Sequence, residues 1–269
     1  LKGGINVTIN DGIRFVFDNC SSDEMGVMMV NSIGSTSMSG GDEKTNIITS
    51  KSPFKETHDL HYVSYDEPLQ FTIILLKTDE TYINADDERR IKKWLCKKTW
   101  GWLQIDQDDL SDVFYQVLIH SPEKINIGAY SGGLQFTVQS NCHHAWSRLY
   151  KKVYKTASGT LNVNLNFNFD YDEYILYPQL SIKSLSPTTQ NITIKNNTTN
   201  ETLSISGCTL NEEILIDCKT DQLKSSTNRV LLNDWNKNMI SMIEGINNIN
   251  LTGNFQVEIR YRLPIRVGG

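Results

Sequence analysis

The chain has 269 residues, with 26 Lys and Arg against 31 Asp and Glu and a formal net charge of −5. That balance, with a pI near 5.6, gives no basic footprint for nucleic acid. No apolar run approaches the roughly 20 residues of a membrane helix, and 39% hydrophobic content excludes a chain disordered throughout. The length fits one large β domain or two ordinary ones.

Cys20, Cys96, Cys142, Cys208 and Cys218 are odd in number and irregularly spaced, with no C-x-x-C pair. Neither a disulfide framework nor a zinc knuckle is indicated, and reduced thiols are the expectation. Asn6, Asn19, Asn191, Asn196, Asn197, Asn200 and Asn250 each start N-x-S/T, but the second half is rich in Asn, Thr and Ser, so chance sequons are expected. Leu1-Lys-Gly-Gly4 has neither the cationic start nor the apolar core of a secretion signal, and the chain is read as starting from an internal point.

Ile5–Ile9 is expected as a short strand, with a turn at Asn10-Asp-Gly12 and a second strand at Ile13–Phe17. Ser32 to Asp66 is polar and broken by glycines, yet holds alternating stretches such as Thr45–Thr49; a long exposed hairpin or arm fits it, an ordinary surface loop being the bland alternative. Leu69–Leu76 is a buried-strand run rich in β-branched residues. Asp86-Asp87-Glu88 opens a helix, about 86–98, with acids at its positive end, and Arg89, Arg90, Lys92 and Lys93 follow toward its negative end. Ile91, Trp94 and Leu95 form its narrow apolar face. Strands are expected at Trp102–Ile105, Phe114–His120 and Gly133–Val138. The stretch describes one helix laid on an antiparallel sheet.

Several phrases in this order, Leu69-Gln-Phe-Thr, Asp86–Leu95, Trp102-Leu-Gln-Ile-Asp106 and Gly132 to Cys142, give the chain a resemblance to a known family. It resembles the distal tail proteins of long-tailed, siphovirus-type bacteriophages, the hubs of the tail tip or baseplate. The resemblance covers about the first 150 residues and extends into the second half. It implies a ring-forming, tail-tube-like N-terminal domain (1–152) whose arm (about 32–66) helps neighbouring subunits close a ring.

Beyond a basic connector of Arg148, Lys151, Lys152 and Lys155 ending in a linker at Ala157-Ser-Gly159, Asn162–Phe169 alternates with period two. Short strands follow at Tyr177–Ile182, Asn191–Ile194, Leu203–Ile205, Glu213–Ile216 and Asn254–Tyr261, which argues for a β-sandwich over 160–269. The family resemblance implies a galectin-like or carbohydrate-module sandwich.

No constellation requires catalysis, a cofactor or a metal. Cys142-His143-His144 offers zinc ligands, but adjacent strand residues point to opposite faces, and the end of a strand is the simpler reading. Gly128-Ala-Tyr-Ser131-Gly132 lacks the spacing of a nucleophile elbow. Asp106-Gln-Asp108-Asp109 lacks the Gly and Glu of a calcium loop. The cations from Arg89 to Lys98 are balanced by neighbouring acids. Glu212-Glu213 and Asp170/Asp172 are acid pairs whose separation a sequence does not reveal. Phe167 and Phe169 share one strand face, read as the core face. Trp235, within Asn233–Asn238, is the best candidate for an exposed sugar contact, its alternative being a plug at the sandwich edge.

The expected fold class is mainly β: a sandwich or tube-type domain with one packed helix, then a sandwich. The resemblance implies a non-enzymatic virion protein, a homo-hexamer with a channel for DNA. Its implied partners are the tail tube protein, tail-tip or baseplate proteins and receptor-binding proteins, with no membrane and with assembly in the host cytoplasm. The alternative function is a module recognising cell-wall sugars through the C-terminal sandwich.

Overall fold

The computed structural model describes residues 13–30, 45–51, 54, 56–65, 67–79, 81–107, 110–127, 131–157 and 159–267. The expected strand at Ile5–Ile9, the turn after it and the start of the arm lie outside the described residues. The chain divides into two compact units, Leu1–Ser147 with Ile265–Gly269, and Arg148–Pro264.

The first unit runs β1 (Arg14–Phe17), β2 (Cys20–Ser21), β3 (Val27–Val30), β4 (Asn46–Lys51), β5 (His58–Ser64), β6 (Gln70–Lys77), α1 (Ala85–Leu95), β7 (Gly101–Asp106), β8 (Val113–Ile127), β9 (Ser131–Ser140) and β10 (Ala145–Ser147). Apart from β4 and β5 these strands form one sheet, with the path β2-β1-β7-β8-β9-β6-β3. Its far ends meet: the N–H of Ile13, just before β1, donates to the Met29 carbonyl at 2.8 Å, and the Met29 N–H donates back at 2.9 Å. This single bridge brings the start of β1 beside β3 and curls the sheet round a common core. Alternate residues point inward, and Phe15, Phe17, Ile73, Leu75, Leu103, Tyr115 and Phe136 are buried in the enclosed core.

The helix starts at Ala85 because Asn84 caps it. The Asn84 side chain accepts from the N–H groups of Asp86 and Asp87, both at 2.9 Å, and the Asp87 carboxylate accepts from the Asn84 N–H. It ends at Leu95, short of the expected 98, since Cys96, Lys97 and Lys98 extend no apolar face; Lys97 instead pairs with Asp18 at 2.7 Å. Ile91, Trp94 and Leu95 enter the core as expected. Trp94 stacks on Phe15 at 5.3 Å and donates its indole N–H to the Phe17 carbonyl at 3.2 Å. On the solvent side Glu88 receives Lys124 at 2.7 Å and Lys92 at 2.6 Å, and these two ammonium groups hold its carboxyl down to about 2.

The second unit holds β11 (Tyr150–Lys155), β12 (Thr160–Phe167), β13 (Gln179–Ser184), β14 (Gln190–Asn196), β15 (Glu201–Cys208), β16 (Glu213–Asp217), β17 (Gln222–Ser225), β18 (Gly245–Thr252) and β19 (Phe255–Tyr261). Two antiparallel sheets, β11-β19-β13-β16-β17 and β12-β18-β14-β15, share a core that includes Ile182, Ile194, Ile205, Ile249 and Val257. The basic stretch expected as a connector is instead strand β11, paired along all six residues with β19. The reason is its alternation: Tyr154 packs against the core and Tyr150 stacks on Tyr261 at 5.5 Å, while Lys151 and Lys155 face water. β20 (Pro264–Ile265) pairs with β10, and Val267 is buried in the first core. Of the sequon asparagines, Asn196 is fully buried and donates to the Ser241 carbonyl at 2.7 Å, so it serves the core.

A methyl group on Gly101 would overlap the ring of the buried Phe17. Gly101→Ala should therefore destabilise the first unit by about 1–3 kcal/mol through overpacking, read by urea denaturation. A second check is the Glu88 carboxyl. Its folded pKa is lowered, so its contribution to stability is present above its unfolded value and is lost as pH falls toward about 2. An NMR titration of Lys124→Ala should show that pKa rising toward the ordinary glutamate range.

Candidate functional site: an exposed hairpin and its base

Among the described residues, strands β4 and β5 pair only with each other, as a two-stranded ribbon. Ile47 sits opposite Val63 on one face and Ile48 opposite Tyr62 on the other, with a bulge before Thr49 that sets Leu60 across from it. These five apolar side chains are 40–62% exposed, and Phe54, between the two strands, is 97% exposed. A lone ribbon of this kind is marginal in water because it has no core to bury. Apolar residues on both faces mark a surface made to be covered.

The base of the ribbon is built differently. Ser64 is buried, and Tyr65 begins a column of rings. Its ring stacks on His143 at 5.1 Å, His143 meets His144 edge-on at 4.7 Å, and His144 meets Trp146 at 4.6 Å. From the returning chain end, Arg266 donates to the Tyr65 hydroxyl at 3.0 Å and lies over its ring at 5.7 Å. Cys142-His143-His144 follows the end of β9 and packs into this column. Among the described residues no group of three or more His, Cys, Asp or Glu is placed to hold a metal.

The remaining sequence candidates are dispersed. Residues 128–130 and 108–109 lie outside the described residues. The helix cations are tied down in part: Arg89 pairs with Asp86, Arg90 with Asp87 and Lys92 with Glu88. Glu212 and Glu213 do not face one another across a groove. Glu213 is exposed and pairs with Lys183 at 3.3 Å, whereas the Glu212 side chain is wholly buried. Phe167 and Phe169 are buried and stacked at 5.9 Å.

Trp235 is half-buried against the second core. Its indole N–H donates to the Asn238 carbonyl at 2.9 Å, and its backbone forms a bridge with Ile205 of β15. On either side, Asp234 accepts from the Ser206 N–H at 2.8 Å and the Asn236 N–H donates to the Ser204 carbonyl at 3.1 Å. The segment thus covers the outer edge of β15. Arg229 locks it in place, reaching Asp234 at 2.6 Å, Glu212 at 3.2 Å and the Ser206 carbonyl at 3.0 Å. Burial alone would raise the Glu212 pKa, but the hydroxyl of Ser225, the N–H of Thr209 and Arg229 outweigh it, and the net direction is down. No sequence motif signals this cluster, since its members run from Ser206 to Asp234, 28 residues apart.

Comparison with known proteins agrees with this architecture. The phage tail protein N-terminal domain matches residues 10–142, and the phage tail C-terminal domain matches residues 144–261. The chain belongs to this phage tail protein family. Its fold is similar to that of SPP1 Dit (gp 19.1), described as a paradigm of the hub adsorption apparatus in Gram-positive infecting phages, with TM-score 0.63, 7% identity, and 93% of this chain and 99% of that one covered. It is also similar to a chain of the phage P2 baseplate in its activated conformation with Ca, with TM-score 0.62, 11% identity and coverage of 93% and 97%. No curated protein sequence matches. The family match establishes a phage tail protein, and the similar structures share its mainly β fold.

Arg229→Met would leave the buried Glu212 carboxylate without its counter-ion. It should cost about 3 kcal/mol of unfolding free energy, measured in urea, with part of that recovered in the Glu212→Gln, Arg229→Met double variant.

Proposed function

We propose that this phage tail protein is the distal tail hub. Six copies close into a ring at the end of the tail tube, the first units line a channel through which DNA passes without specific binding, and the hairpin reaches the next subunit. A head-to-tail contact repeated around a closed ring is how one surface pair builds such a collar. The observation that carries the reading is the β4/β5 ribbon, with apolar side chains on both faces and none of its own core to bury them.

In this reading the protein is a scaffold without enzymatic activity. Its partners are further copies of itself, the tail tube protein, and the tail-tip or baseplate and receptor-binding proteins held by the second unit. It is assembled in the bacterial cytoplasm and carried in the virion. The fold shared with the SPP1 hub and the P2 baseplate chain supports this assignment. The half-buried and hydrogen-bonded Trp235 favours the edge-plug role over a sugar contact.

The test is to charge the ribbon without touching the core. Ile47→Lys combined with Leu60→Lys replaces two exposed side chains, so stability should change by no more than about 0.5 kcal/mol. The ring seen by negative-stain imaging should be lost. A folded double variant that still forms the wild-type ring would remove the hairpin from the subunit contact.

A further inference from the structure

The two sheets of the second unit have four outer strands, and three of their edges are protected. β11 carries Lys151, Lys152 and Lys155. β17 is only four residues long and includes Lys224. The edge of β15 is covered by the Asp234–Asn236 segment, whose groups bond to Ser204 and Ser206, with the Asn236 side chain donating to the Thr202 carbonyl at 2.7 Å. Charge, brevity and cover are the ordinary means of keeping an edge from pairing with another chain.

β12 has none of them. It is eight residues long, Thr-Leu-Asn-Val-Asn-Leu-Asn-Phe, with no charge and no proline, and its pairing with β18 is continuous from Thr160 to Phe167. Among the described residues no strand lies on its other side. Two further observations mark that side as incomplete. Leu161 and Val163 point toward the core but stay only partly buried, unlike Leu165 and Phe167. On the outer face, the Asn250 side chain donates to the side-chain oxygen of Asn162 at 3.1 Å and the Asn248 side chain to that of Asn164 at 2.9 Å. The amide groups of Asn162 and Asn164 then have N–H donors left over at the edge, where one more strand would continue the ladder.

We propose that β12 pairs, antiparallel and about a two-fold axis, with β12 of a second copy of this chain. The strand is its own complement. Asparagines would meet asparagines on one face, while Leu161 and Val163 of the two copies would be buried together on the other, with no like charges brought into contact. A contact of this isologous kind is separate from the head-to-tail ring and doubles whatever assembly the rest of the chain builds.

The full-length protein tests this by light scattering across a concentration series, with hydrogen exchange over residues 160–167. Asn164→Lys places a lysine on an exposed, outward position and should give particles of half the wild-type mass, with faster exchange along β12. Asn164→Ser should keep the wild-type mass, and Asn162→Lys provides a second charged variant should the first fail to fold. Equal masses for wild type and a folded lysine variant, or exchange in 160–167 that does not slow with wild-type concentration, would overturn the proposal. Loss of the six-fold ring with the two-fold doubling retained, or the reverse, separates this contact from the hairpin contact.

Discussion

The constraint that organises this molecule is the need of every β-strand to satisfy its backbone donors and acceptors on both sides. The main sheet of the first unit meets it largely by curling round, with Ile13 beside β1 bridging to Met29 of β3. That curl encloses a core which α1 seals through Trp94 and its partners Phe15 and Phe17. The second unit meets it by local means: lysines on one edge, a short strand on another, and the Arg229-anchored segment around Trp235 on a third. The β4/β5 ribbon meets it least, having one partner and no core. The elements that fail to complete themselves within the chain are the ones assigned to contacts between chains.

Much of this was legible where chemistry is local. The helix was announced by its acidic start, its basic end and the spacing of Ile91, Trp94 and Leu95, since capping and amphipathicity act over a few residues. The Asn-rich strand from Asn162 followed from alternation, and the exposed character of the arm holding Thr45–Thr49 from its polar, glycine-broken composition. Tail-protein membership, read from the order of phrases between Leu69 and Cys142, agrees with the domain matches.

What the sequence concealed depends on distance along the chain. The lysines of β11 masked the inward Tyr154 and made a strand resemble a connector. The return of β20 to β10 and the capture of Tyr65 by Arg266, 201 positions away, join distant parts of the chain, which no periodicity records. Trp235 was read as an exposed contact or an edge plug because its neighbours are polar; those neighbours, Asp234 and Asn236, bond to the β15 edge, and the indole is half-buried. Glu212 read as half of an acid pair because its counter-ion, Arg229, lies seventeen residues away.

The central claim is that a core-less ribbon on a curled sheet makes this protein a ring-forming hub. Negative-stain imaging of the purified full-length protein tests it most directly. The account predicts class averages with six-fold symmetry around a central hole. Particles lacking rotational symmetry, even after the cognate tail tube protein is added, would contradict it.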